Sequence, residues 1–102
     1  WIADYPHPQD FLDILFHSGV QNNYGEYNNP EVDALLDKAR AEQDVQLGLS
    51  LYRQAEQKLI NDAVTLPLYF GKNFILVKPY VQGYKVNPLG YARLNMVSVI
   101  PH

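Results

Sequence analysis

Apolar residues recur with a helical period through the first sixty positions and lose that period afterwards. Phe11, Leu12, Leu15 and Phe16 fall at i, i+1, i+4 and i+5, a single apolar stripe. Pro8-Gln9-Asp10 suits a first helical turn, with a proline early and an acid at the positive end of the dipole. Gly19, after His17-Ser18, is a stop signal. Together these predict a helix over about 8–18. Val32, Leu35, Leu36 and Ala39 recur at i, i+3, i+4 and i+7 behind an Asn29 cap, with Pro30 opening the helix and Glu31 and Asp33 in its first turn. That helix should run over about 30–42. Asp44 caps the next, about 44–61, where Leu47, Leu51, Ala55 and Leu59 form an i+4 row widened by Tyr52 and Ile60. Gly48 weakens it by about 1 kcal/mol relative to Ala. A linker of only a few residues makes the last two helices a hairpin with facing stripes. Residues 19–29 have no period and hold four Asn, two Gly and two Tyr, which reads as a loop.

Past residue 62 the apolar residues come in short runs. Leu66–Phe70, Phe74–Val77 and Leu94–Ile100 predict strands over about 66–70, 73–78 and 95–100. Pro67 places the first at an edge or a strand start. Val81-Gln82-Gly83-Tyr84 and Asn87-Pro88-Leu89-Gly90 read as turns. The run at 74–77 does not alternate, so it suits a strand covered on both faces. A chain of 102 residues can hardly supply both covers, which points to missing partner strands. Trp1 is the first residue and Met96 the only methionine, so the chain is expected to be processed, a cloned domain or an internal piece.

Composition narrows the function. At 47% hydrophobic and 13% aromatic residues, the chain has what a folded core needs. Its net charge is −3 and its basic residues are scattered, which argues against nucleic acid as a partner. The absence of cysteine excludes thiol catalysis, disulfides and thiolate metal sites. No serine sits in a strand-turn-helix elbow, and the glycines are too far apart for a phosphate loop. No enzyme and no cofactor are expected. Asp10, Asp13 and His17 share one face of the first helix and are fair metal ligands. The same spacing arises in the hydrated face opposite Phe11 and Leu15, and that reading is taken, with no metal.

The remaining chemistry lies at Trp1-Ile2-Ala3-Asp4-Tyr5-Pro6-His7-Pro8. Its two prolines keep it out of a helix and bias Tyr5 and His7 toward extended conformations. Asp4 between Trp1 and Tyr5 is a carboxylate beside aromatic walls, a seat for a ligand ammonium. The other reading makes Trp1 and Tyr5 core residues and Asp4 a turn cap.

The order of motifs resembles a known family. Trp1-Ile2-Ala3-Asp4-Tyr5-Pro6 leads, with Pro8 and Phe11-Leu12. Tyr27-Asn28-Asn29-Pro30-Glu31-Val32-Asp33-Ala34-Leu35-Leu36 follows, then Leu51-Tyr52-Arg53-Gln54-Ala55-Glu56-Gln57-Lys58-Leu59. Leu66-Pro67-Leu68-Tyr69-Phe70 and Leu76-Val77-Lys78-Pro79-Tyr80-Val81-Gln82-Gly83-Tyr84 complete the series. In this order the motifs are similar to the C-terminal portion of extracytoplasmic solute-binding proteins of the peptide (dipeptide and oligopeptide) ABC-transporter class, family 5. The resemblance implies part of a two-lobed, periplasmic-binding-protein-like (type II) α/β fold that closes on its ligand. Residues 1–70 would belong to the second lobe, and 71–102 to the hinge and the return to the first. The motif match makes Asp4 the partner of a peptide's α-ammonium and Trp1 the wall of a side-chain pocket, with Ile2, Ala3 and Tyr5 beside the ligand. The implied partners are a short peptide or another amine-bearing solute and, through the whole protein, an ABC permease. The implied location is outside the cytoplasm, in the periplasm or lipid-anchored. Exposed strand edges would favour dimerisation of the isolated chain. The alternative is a helical-hairpin interaction module without a small-molecule ligand.

Overall fold

The computed structural model describes all residues, Trp1–His102. Three helices come first and a two-stranded sheet last: α1 (Gln9–Phe16), α2 (Pro30–Ala41), α3 (Val45–Asn61), β1 (Val81–Gln82) and β2 (Ser98–Val99). The contacts divide the chain into two compact units, essentially Ala3–Pro67 and Leu68–His102.

In the first unit the capping chemistry does what the sequence anticipates. Asn29 Oδ1 accepts the Glu31 N–H at 3.0 Å, and Pro30 opens α2. Asp44 Oδ1 accepts the Leu47 N–H at 2.8 Å at the start of α3. Each cap satisfies a donor that the first helical turn leaves without a partner. The α2–α3 hairpin buries Val32, Leu36, Ala39, Leu51, Tyr52, Ala55 and Leu59, with Leu12, Phe16, Tyr27, Leu35 and Val64 packed against them.

α1 packs Leu12 and Phe16 of its apolar stripe against the hairpin core, and it buries two of its acids as well, which was not expected. Its buried residues are Asp10 and Asp13, while Phe11 is exposed and Leu15 only partly covered. The acids therefore do not form the hydrated face. The physical reason is a local polar partner: Asp10 Oδ2 accepts the Asp4 N–H at 2.7 Å. Asp13 lies beside Tyr52, and neither of its oxygens has a hydrogen-bond partner.

The 19–29 loop is more ordered than its composition implies. Asn23 is buried; its Nδ2 donates to the carbonyls of His17 (3.2 Å) and Tyr27 (2.7 Å), and its Oδ1 accepts the Tyr27 N–H at 3.0 Å. Tyr27 and Asn29 both donate to Asp62, at 2.6 and 3.1 Å.

In the second unit β1 and β2 pair antiparallel, Val81 opposite Val99 and Gln82 opposite Ser98. A bridge joins Val86 to Ala92 around the Asn87–Gly90 turn, where Asn87 Oδ1 accepts the Leu89 and Tyr91 N–H groups. Gly83 has φ +76, and a Cβ there would lie 2.0 Å from the Met96 carbonyl oxygen, so this position needs glycine.

Three strand expectations change. Residues 66–70 and 73–78 carry no strand and are exposed, because a strand needs a neighbouring backbone and this chain supplies none there. The segment 95–100 contributes only Ser98–Val99, since Leu94–Met96 forms a 3-10 turn. Val81–Gln82, read as the start of a turn, is β1.

Candidate functional site

The Trp1–Pro8 stretch runs into α1 through a series of bends over Asp4–His7. Its two prolines withhold N–H donors, so the turn is held by the groups that remain. The Asp4 N–H donates to Asp10, the His7 N–H to the Tyr5 carbonyl at 2.9 Å, and the Asp10 N–H to the His7 carbonyl at 3.1 Å. The Tyr5 hydroxyl donates to Gln9 Oε1 at 3.3 Å, and the Gln9 N–H donates to His7 Nδ1 at 3.2 Å. The His7 ring stands edge-on to Tyr52, with ring centroids 5.5 Å apart. Asp4 is thus fastened to the helical unit by its backbone, while its carboxylate side faces solvent.

The five expected site residues differ in how they are held. Asp4 and Tyr5 are tied to α1. Trp1 is 56% exposed, Ile2 and Tyr5 are exposed, and Ala3 is partly covered. The backbones of Ile2 and Ala3 make no internal hydrogen bond, so their donors and acceptors are free. Within this chain neither Trp1 nor Tyr5 is buried.

The field around this turn is negative. Partial burial, and then the carboxylates of Asp10, Asp13 and Asp4, hold the Tyr5 phenol above its ordinary pKa. The same cluster continues inward. Burial raises the Asp13 carboxyl. Burial first, and then the Asp13 charge, push the Tyr52 hydroxyl up to about 12.

A concavity of about 740 Å³ opens beside Tyr5, Gln9, Asp13, His17, Asp37 and Arg40. His17 there lies 3.8 Å from Asp33 and 3.4 Å from Asp37, and Arg40 pairs with Asp37 at 2.5 Å. The Ser18 carbonyl, 3.0 Å from His17 Nδ1, and then the two carboxylates raise the His17 pKa against the effect of burial. No group of three or more His, Asp or Glu side chains is arranged to hold a metal ion. Sequence reasoning read Asp10 as a dipole partner and missed its contact with Asp4. The only signal was a carboxylate at the start of a helix, six residues after Asp4.

None of the protein-family models matches the chain. Known proteins do. The periplasmic oligopeptide-binding protein OppA of Salmonella typhimurium is 36% identical over 104 residues, covering 100% of this chain and 19% of OppA. Heme-binding protein A of Haemophilus influenzae is 35% identical over 101 residues, 97% of this chain and 18% of its own length. Among solved structures, the unliganded open form of the murein tripeptide-binding protein MppA superposes with a TM-score of 0.75 at 31% identity, covering 100% of this chain and 20% of MppA. The chain spans about a fifth of the length of the relatives it matches. Its three helices and small sheet reproduce one part of the periplasmic binding-protein fold, and along its whole length the chain is homologous to the peptide-binding solute-binding proteins of family 5.

Proposed function

We propose that this chain forms part of the ligand-binding cleft of an extracytoplasmic solute-binding protein that captures short peptides. In this reading Asp4 is the acceptor for the peptide's α-ammonium. The observation that carries it is the Asp4 turn: its backbone is fastened to α1, while Asp4 is exposed in a stretch where Trp1 and Tyr5 are exposed too. A charge-assisted contact of this kind is strong when the facing wall excludes water. Trp1 lines a side-chain pocket, and the free backbone groups of Ile2 and Ala3 hydrogen-bond an extended peptide as an added strand would. Residues 1–70 then belong to one lobe, and 71–102 to the hinge and the return to the other lobe. The whole protein passes its peptide to an ABC permease without catalysis. It resides in the periplasm or on a lipid anchor at the outer face of the membrane.

The test is calorimetry on the full-length protein with trialanine as probe. Asp4→Ala should weaken binding by about 2–5 kcal/mol, because the ammonium loses its partner in a desolvated site. Unchanged affinity overturns the role of Asp4. The similarity to heme-binding protein A supports a second reading, a solute without an amine. That reading expects no trialanine binding by the unsubstituted protein.

A further inference from the structure

We infer that Asp10 is a positioning residue for the Asp4 ammonium site, an inference that rests on the peptide-binding reading above. Asp4 lies in neither a helix nor a strand. Its one hydrogen bond is the 2.7 Å contact from its N–H to Asp10 Oδ2. Asp10 is 0% exposed, whereas Asp4 is exposed. A buried carboxylate on the second residue of a docked helix thus holds the backbone of an exposed carboxylate in a turn. The contact is doubled, because Asp10 donates its own N–H to the His7 carbonyl at 3.1 Å. Asp10 therefore closes the turn from both sides, and residues 4–7 are anchored to α1 through this one residue and the Gln9 contacts.

Two consequences follow for ligand recognition. The first is geometric. Asp4 has two side-chain torsions, but its backbone is tethered through its N–H, so its carboxylate samples a smaller region than in an untethered turn and loses less freedom when an ammonium docks. The second is electrostatic. Asp10 is the first of the carboxylates whose field, after burial, holds the Tyr5 phenol up, so it contributes to the negative field at this turn. Both effects favour a ligand with a free amine and are indifferent to one whose amine is blocked.

The experiment compares trialanine with N-acetyl-trialanine in the full-length protein, with Asp10→Ala, Asp10→Asn and the unsubstituted chain. Asp10→Ala should lower affinity for trialanine about tenfold and leave the acetylated peptide within about twofold. Asp10→Asn keeps an acceptor oxygen for the Asp4 N–H but not the charge, and should restore the geometric share of the preference for the free amine, an affinity between those of Asp10→Ala and the unsubstituted protein. An equal loss for both peptides means general structural damage and overturns the inference, as does an unchanged preference in Asp10→Ala. If Asp10→Ala does not fold, amide exchange in the unsubstituted protein decides. The Asp4 N–H should exchange at least tenfold more slowly than in a free chain. Exchange at the free-chain rate overturns the inference. Failure of the unsubstituted protein to bind trialanine overturns the peptide reading itself, and the positioning role with it.

Discussion

The two units of this chain are both rich in large apolar residues, yet only the first buries any. Val32, Leu36, Leu51, Tyr52 and Leu59 are enclosed within Ala3–Pro67, whereas no residue of Leu68–His102 is buried. The difference lies in how each unit satisfies its backbone. A helix pairs its own N–H and C=O groups, so an apolar stripe at i, i+3, i+4 and i+7 can collapse onto a neighbouring helix within one short segment. An extended run must borrow hydrogen-bond partners from other strands, and Phe74–Val77 finds none in this chain. The apolar content of the two regions thus carries different information: a core in one, an unfilled demand for partners in the other.

Truncating side chains should break this symmetry most sharply. Leu36 is 0% exposed and Phe70 is 102% exposed. Denaturant unfolding of this chain should show Leu36→Ala losing about 2–5 kcal/mol and Phe70→Ala changing by less than about 0.5 kcal/mol. Similar losses at the two positions would mean that the run after Pro67 is packed in solution.

A smaller effect should be confined to the second unit. Gly83→Ala places a Cβ 2.0 Å from the Met96 carbonyl oxygen in a backbone at φ +76, at a cost of roughly 1–3 kcal/mol. The Ile100 amide, which donates to the Tyr80 carbonyl at 2.9 Å, should lose its exchange protection. Amides of α3 should be unaffected, and loss of protection in both places would show that the units unfold as one.

The smallest effect separates charges inside the first unit. His17 is raised above its ordinary value by the Ser18 carbonyl and by Asp33 and Asp37, with Arg40 and Asp13 also near. Protonated His17 therefore stabilises the fold fully below about pH 6.5, and that contribution is lost as pH rises through the folded value. Its magnitude should be at most about 1 kcal/mol, since these groups are partly exposed. His17→Gln should flatten the stability profile between about pH 6 and 8, and an unaltered slope would refute the assignment. Asp13, raised by burial, acts with the same sign from the acid range upward, where its ionisation begins to cost stability.

How much of the site was legible follows from the same physics. The Trp1–Tyr5 stretch stood out because prolines, aromatics and a carboxylate are close in sequence and need no fold to be noticed. Asp10 did not, because a helix-start acid has the same local signature whether it faces water or a backbone N–H. Asn23 was hidden in a loop whose composition suggested only irregularity, though its three hydrogen bonds organise that loop. The burial of Asp10 and Asp13 was not legible because periodicity marks an apolar stripe, here met by Leu12 and Phe16, but not which polar residues beside it a neighbour covers.

By itself the sequence determined the three helices, the caps of α2 and α3, the hairpin those two form, and the Asn87–Gly90 turn. These depend on contacts within a few residues, which composition and spacing encode directly. Only the tertiary structure decided that α1 buries two acids beside Leu12 and Phe16, that Asp10 holds the Asp4 N–H, and that the β ladder is limited to Val81–Gln82 with Ser98–Val99. Those outcomes depend on which distant groups are available to accept a hydrogen bond or cover an apolar face, and no local pattern specifies that.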